Sequence, residues 1–116
     1  MDHFPEFMRR AENAVASHQR SEGVRGYVFD GLDGSQVLIF QCETGGVSKE
    51  HVHGFDEYFI VIQGEYMLGI QGQEIRLQSG QEYHIPRGVP HTGRFTAGTR
   101  TINAFGGKRA DREGLT

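Results

Sequence analysis

The segment Lys49-Glu-His-Val-His-Gly-Phe-Asp-Glu57 concentrates side chains that can do chemistry. In an extended strand His51 and His53 point to one face with Cα atoms roughly 6.5–7 Å apart. Imidazoles so placed can converge on one ion at about 2.0–2.1 Å from each nitrogen. Gly54-Phe55-Asp56 reads as a turn or bulge that lets Glu57 swing its carboxylate back toward the same centre. A His-x-His pair alone is a weak signal, because surface strands carry such pairs by accident, and a nearby carboxylate adds only a little. A distant fourth ligand strengthens it. His91 closes the stretch Gly80-Gln-Glu-Tyr-His-Ile-Pro-Arg-Gly-Val-Pro-His91, in which Pro86, Gly88 and Pro90 form a rigid turn between two strands. Such a stiff approach holds a ligand at little further entropic cost. Imidazole is a borderline donor and carboxylate a hard one. The set His51, His53, Glu57 and His91 therefore suits one divalent transition metal (iron, manganese, nickel, copper, cobalt or zinc) rather than calcium. Three imidazoles and a carboxylate leave positions open on a six-coordinate ion for water, dioxygen or a bidentate substrate. Lewis-acid chemistry and substrate orientation follow for any of these metals, and electron transfer for iron, manganese or copper.

Short strands must carry these residues. From residue 24 onward glycines fall at 34, 45, 54, 64, 72, 80, 88 and 98, and turn signals at such intervals indicate an all-β sandwich or barrel. Strands are expected near 24–29, 36–42, 47–53, 57–63, 65–71, 73–78, 82–85, 91–96 and 99–105, with hairpin turns at Asp33-Gly34 and Gln71-Gly72. Ahead of them, Phe4, Phe7, Met8, Ala11 and Val15 fall at helical spacing, which predicts a short helix from Phe4 to about Ser17 with Pro5 in its first turn. The expected organisation is an N-terminal helical segment, 1–22, packed on a barrel, 23–106, followed by a flexible Gly-rich and charged tail, 107–116.

Strand parity then lines the pocket. If Glu57 points inward, so do Phe59 and Val61; if His91 does, so do Gly93 and Phe95. The result is a largely apolar cavity. Arg94 has the opposite parity, Arg87 reads as a solvated turn residue, and His84 has no assignable facing. Tyr66 and Tyr83 are either pocket hydroxyls or packing residues. In Glu57-Tyr-Phe-Ile-Val-Ile-Gln63 apolar residues occupy both parities, so both faces of this strand need cover. The N-terminal segment, the opposing sheet or a second copy of the chain can supply it, and a homodimer is expected.

The order and spacing of these residues resemble the two motifs of the cupin family. The first, G-x5-H-x-H-x3,4-E-x6-G, is matched by Gly45, His51, His53, Glu57 and Gly64. The second, G-x5-P-x-G-x2-H-x3-N, is matched by Gly80, Pro86, Gly88 and His91, with Phe95 in place of the final Asn. The resemblance implies a double-stranded β-helix, the RmlC-like jelly-roll barrel, with a metal held inside by His51, His53, Glu57 and His91. Phe95 replaces no ligand of the pattern but removes any polarity Asn would bring to the pocket.

Composition bounds the rest. A chain of 116 residues with 36% hydrophobic residues builds one domain with a modest core. A net charge of −3 argues against a nucleic-acid surface. The longest apolar run, Tyr58 to Ile62, is too short to span a membrane. The N-terminal residues lack the basic and apolar regions of a signal peptide, which makes the cytosol the expected compartment. Cys42 is the single cysteine and lies in an apolar strand, so a buried, inert thiol is expected. The leading functional expectation is a metalloenzyme acting on a small organic molecule, with dioxygenase-type chemistry. The alternatives are a non-catalytic binding or sensing protein and a metal-dependent isomerase or lyase. Fold alone does not choose among them.

Overall fold

A computed structural model describes residues 2–115; the outermost residues of the expected N-terminal segment and tail, Met1 and Thr116, lie outside the described residues. Nine strands form: β1 Val24–Asp30, β2 Gln36–Cys42, β3 Gly46–His51, β4 Glu57–Gln63, β5 Glu65–Ile70, β6 Gln73–Gln78, β7 Glu82–Ile85, β8 His91–Phe95 and β9 Arg100–Phe105. Every expected strand is present, with ends displaced by at most two residues. They make two sheets, in the order β1-β2-β9-β4-β7 and β3-β8-β5-β6, and all pairings are antiparallel. The chain passes back and forth between the sheets from β2 onward, which gives a jelly-roll barrel.

Turn chemistry explains the registers. Gln71 and Gly72 both have positive φ, 50° and 77°, the geometry of a tight two-residue hairpin between β5 and β6. Gly64 also has a positive φ of 86°, and an added Cβ there would lie 2.7 Å from Thr99 Cα, so glycine is required at the β4–β5 corner.

Alternation along the strands fills the barrel. In β4, Glu57, Phe59 and Val61 are buried, and in β8 His91, Gly93 and Phe95 are buried. One end of the interior is an apolar cluster of Phe59, Val61, Leu68, Ile70, Leu77 and Ile85. The polar residues Glu57, His91 and Asn103 are buried toward the other end, where the candidate site lies.

The expected N-terminal helix is not formed. Only separate 3-10 turns appear, at Glu6–Met8, Ala11–Asn13 and Ser17–Gln19, and the backbone is extended at Arg10 and Ala14 with ψ of 140° and 131°. The reason is competition for backbone hydrogen bonds. Val15 donates its N–H to Gly26 O over 2.9 Å and Ala16 donates to Asp111 O over 2.9 Å, so these amides bond across the fold rather than to the preceding turn. Without helical periodicity Phe7 is left 72% exposed, whereas Phe4 and Met8 pack with Tyr27, Ile39 and Ile62. The segment thereby covers part of the outer apolar face of β4.

The C-terminal segment, expected to be loose, is tied to the barrel through residue 113. Gln36, itself buried, accepts hydrogen bonds at Oε1 from the backbone amides of Arg109 (2.7 Å) and Ala110 (2.9 Å). Arg112 forms an isolated bridge with Val15, and Glu113 donates its N–H to Ala14 O over 2.8 Å. Composition marked this stretch as solvated, but its backbone groups find partners on β2 and on the N-terminal segment.

Candidate metal centre

β3 ends at His51, so His53 belongs to the following loop rather than to the strand. A register irregularity against β8 between Ser48 and His51 bends the approach. The loop is clamped on two sides. Gly88 donates its N–H to His53 O over 2.9 Å, and Arg87 donates its N–H to Asp56 Oδ1 over 2.7 Å, which lays the Pro86–Gly88 turn against it. Gly106, just past β9, donates to Asp56 O over 2.9 Å. The His53 ring stacks on Phe55 at a centroid distance of 5.3 Å and meets the Phe105 edge at 5.6 Å.

The imidazoles of His51, His53 and His91 converge, with one nitrogen from each lying within 4.8 Å of the others. Glu57 at the start of β4 stands beside two of them, its Oε1 3.5 Å from His53 Nε2 and 3.6 Å from His91 Nε2, but it is not part of the group that converges with His51. Both separations are longer than a hydrogen bond. His53 Nε2 and His91 Nε2 are accordingly buried without a hydrogen-bond partner among the described residues. Buried polar atoms are rarely left so, and two side by side beside a carboxylate mark a place built for something that accepts lone pairs. In two of the three rings the other nitrogen is engaged: His51 Nδ1 contacts Lys49 O at 2.7 Å and His91 Nδ1 contacts Val89 O at 2.9 Å. Donation of Nδ1–H to a carbonyl leaves Nε2 as the free lone pair and fixes the ring, the arrangement usual around metal-ligating histidines.

Electrostatics agree. Burial depresses the pKa of His51 and brings that of His53 down to about 4, so both are neutral near pH 7. Burial alone would raise the pKa of Glu57, but the nearby His91 and the Asn103 amide outweigh it and hold the carboxyl below its ordinary range. For His91 burial works downward, and the Glu57 carboxylate and the Val89 carbonyl reverse it to a net rise. An anionic carboxylate among mostly neutral imidazoles is the charge state a divalent cation needs.

The inner cavity has a volume of about 80 Å³ and is lined by Phe59, Phe95, Phe105 and Tyr66 together with His51, His53, Glu57 and His91. Val61 sits instead within the apolar cluster farther along β4. Tyr66 reaches the cavity, while Tyr83 packs against that cluster. Arg87, Arg94 and His84 are exposed. The cavity continues outward into a cleft bordered by Gln19–Glu22, Gly45–Lys49 and Arg109.

Asn103 and Arg109 are among the residues of the site that the sequence did not single out. Asn103 on β9 donates Nδ2–H to Glu57 Oε2 over 2.9 Å and accepts from Thr101 Oγ1 at 2.7 Å. It supplies polarity of the kind that Phe95 removes from the second motif. Only its shared parity with Thr101 hinted at an inward position; its partner depends on β9 pairing with β4, which no local pattern encodes. Arg109 lay in the stretch read as a loose tail.

With this geometry in place, comparisons with known proteins are informative. The sequence matches the family model of the cupin domain over residues 38–102. No curated protein matches the chain. Among solved structures, an RmlC-like cupin from Shewanella frigidimarina superposes with a TM-score of 0.71 at 17% identity, covering 100% of both chains. KdgF from Halomonas sp. gives a TM-score of 0.67 at 17% identity, over 88% of this chain and 96% of that one. Salicylate 1,2-dioxygenase from Pseudoaminobacter salicylatoxidans, solved with gentisate, gives 0.68 at 13% identity over 73% of this chain and 25% of that one. At these identities the likeness establishes the fold.

Proposed function

The chain belongs to the cupin family, and from that premise we propose that it holds one divalent transition metal through His51, His53, Glu57 and His91 and acts as a metalloenzyme on a small organic molecule, with dioxygenase-type chemistry. The observation that carries this reading is the pair of buried, unpartnered nitrogens, His53 Nε2 and His91 Nε2, facing Glu57 Oε1 across 3.5 and 3.6 Å. Bare, such an arrangement leaves two desolvated acceptors unsatisfied; a cation between them satisfies both. A bound iron, manganese, nickel, copper, cobalt or zinc ion would supply Lewis acidity, and the redox-active ones electron exchange with dioxygen.

The chain's own residues do the positioning. Asn103 fixes one carboxylate oxygen of Glu57 and so aims the other at the imidazoles. The carbonyls of Lys49 and Val89 orient His51 and His91. Phe59, Phe95 and Phe105 keep the inner cavity apolar, which limits water beside a reactive centre and favours an organic body there. Oxygen uptake over a panel of catechols, diketones and flavonols, with the iron-loaded protein, tests the dioxygenase reading. Uptake dependent on one of these substrates supports it, and zinc as the sole metal under every growth condition counts against it.

A second reading, a non-catalytic binding or sensing protein, is favoured by one observation. Beyond the four proposed ligands, the ionisable residues lining the inner cavity are Arg20, Cys42, Tyr66 and Arg109. Burial pushes the Cys42 thiol up to about 12 and the Tyr66 hydroxyl higher still, so neither is poised as a base near pH 7. Ligand-induced thermal stabilisation without turnover would favour this reading.

A further inference from the structure

Arg109 lies past the end of β9, half-buried, and borders both the inner cavity and the outer cleft. Among the described residues its guanidinium has no carboxylate partner; it makes one long hydrogen bond, Nη2 to Gln19 O at 3.3 Å, and lies over the Phe105 ring with Cζ 5.8 Å from the centroid. A guanidinium carries five donors in a planar fork suited to bidentate carboxylate binding. The Glu57 carboxylate attracts it without forming an ion pair, so most of the fork's donors lack an acceptor among the described residues, and a half-buried charge in that state favours a ligand that supplies one.

The position is built rather than incidental. Gln36 pins the backbone amides of Arg109 and Ala110. Gly107 lets the chain pass tightly over Phe55, where an added Cβ would lie 2.5 Å from the ring carbon Cδ2. Phe105 lies against both groups, 5.8 Å from Arg109 Cζ and 5.6 Å from the His53 ring, and Phe59 and Phe95 line the same cavity.

We propose that Arg109 is the carboxylate clamp of this site, and that its ligand is a small organic carboxylate whose apolar body lies among Phe59, Phe95 and Phe105. The inference rests on the reading above that this cavity receives the organic molecule. The carboxylate is held by the guanidinium where the inner cavity meets the outer cleft, and the body of the molecule shares the cavity with the imidazoles.

The test uses benzoate and its neutral isostere benzamide as probes. Each is titrated into zinc-loaded and metal-free protein, followed by backbone amide chemical shifts, for the wild type, Arg109→Gln and Arg109→Lys. Zinc per chain is measured for all three. The wild type is expected to prefer benzoate over benzamide by about tenfold or more. Arg109→Gln is expected to lose that preference through weaker benzoate binding, Arg109→Lys to retain part of it, and zinc stoichiometry to stay equal across the three. Absence of benzoate binding to the wild type, equal affinity for both probes, or undiminished benzoate binding by Arg109→Gln would overturn the clamp. Failure of the wild type to take any of the candidate metals would instead overturn the metal reading, and the benzoate preference of the metal-free protein would still decide the role of Arg109.

Discussion

Asn103 holds Glu57 by a buried hydrogen bond of 2.9 Å that spans 46 residues of sequence, and Thr101 holds Asn103 in turn at 2.7 Å. This chain of donors faces the back of the carboxylate and leaves Glu57 Oε1 toward the imidazoles. Asn103→Ala should therefore weaken metal binding by about 10–100-fold without removing any ligand. Competition with a chelator of known affinity measures this. Affinity within about twofold of the wild type would mean that Glu57 needs no such support.

Chelation should destabilise the protein. Metal that binds only the folded chain adds roughly 4 kcal/mol of stability at a free concentration a thousand times its dissociation constant. Urea unfolding before and after exhaustive chelation reads the difference. His91→Ala should show little further loss on chelation. An equal chelation effect in the wild type and in His91→Ala would place the metal elsewhere.

Much of this architecture was legible. Glycines and short apolar runs mark all nine strands, because strands such as β4 and β8 bury one parity and most corners hold a glycine of positive φ, among them Gly34, Gly64, Gly72, Gly80, Gly88 and Gly98. The convergence of His51, His53 and His91 followed from motif spacing. The N-terminal helix did not survive because its pattern competes with pairing partners far along the chain: Val15 finds Gly26 and Ala16 finds Asp111. Asn103 and Arg109 were invisible for a related reason. Each acts on residues brought near only by strand order or by the return of the C-terminal segment, and neither sits in a local pattern.

Gln36 is the anchor of that return. Its Oε1 accepts from two backbone amides and its Nε2 donates to Ala110 O at 3.1 Å. Gln36→Ala should cost about 2–4 kcal/mol, taking roughly 1 kcal/mol per net hydrogen bond plus the burden of unsatisfied buried groups. Hydrogen exchange at the Arg109 and Ala110 amides should rise together with that loss. Unchanged protection of these two amides would show that other contacts suffice to hold the segment.

Cys42 gives a pH signature. Burial raises its thiol pKa from 9.0 to about 12, so the folded state holds the proton more tightly than the unfolded chain. Its contribution to stability is whole below about pH 9 and is lost as pH rises toward 12. A Cys42→Ala variant should lack this part of the alkaline decline. At pH 8 the folded wild type should react with iodoacetamide at less than about a tenth of the unfolded rate. Rapid alkylation of the folded protein would contradict the burial.

The most direct test of the site is the metal content of untagged protein, measured by mass spectrometry for the wild type, His53→Ala, His91→Ala and Glu57→Gln after identical purification and dialysis. About one transition-metal ion per wild-type chain is expected, falling to below about a tenth in both histidine variants and to an intermediate value in Glu57→Gln. A wild type that carries none, even after loading with each candidate metal, or histidine variants that keep their full complement, would contradict the convergence of these side chains on one cation.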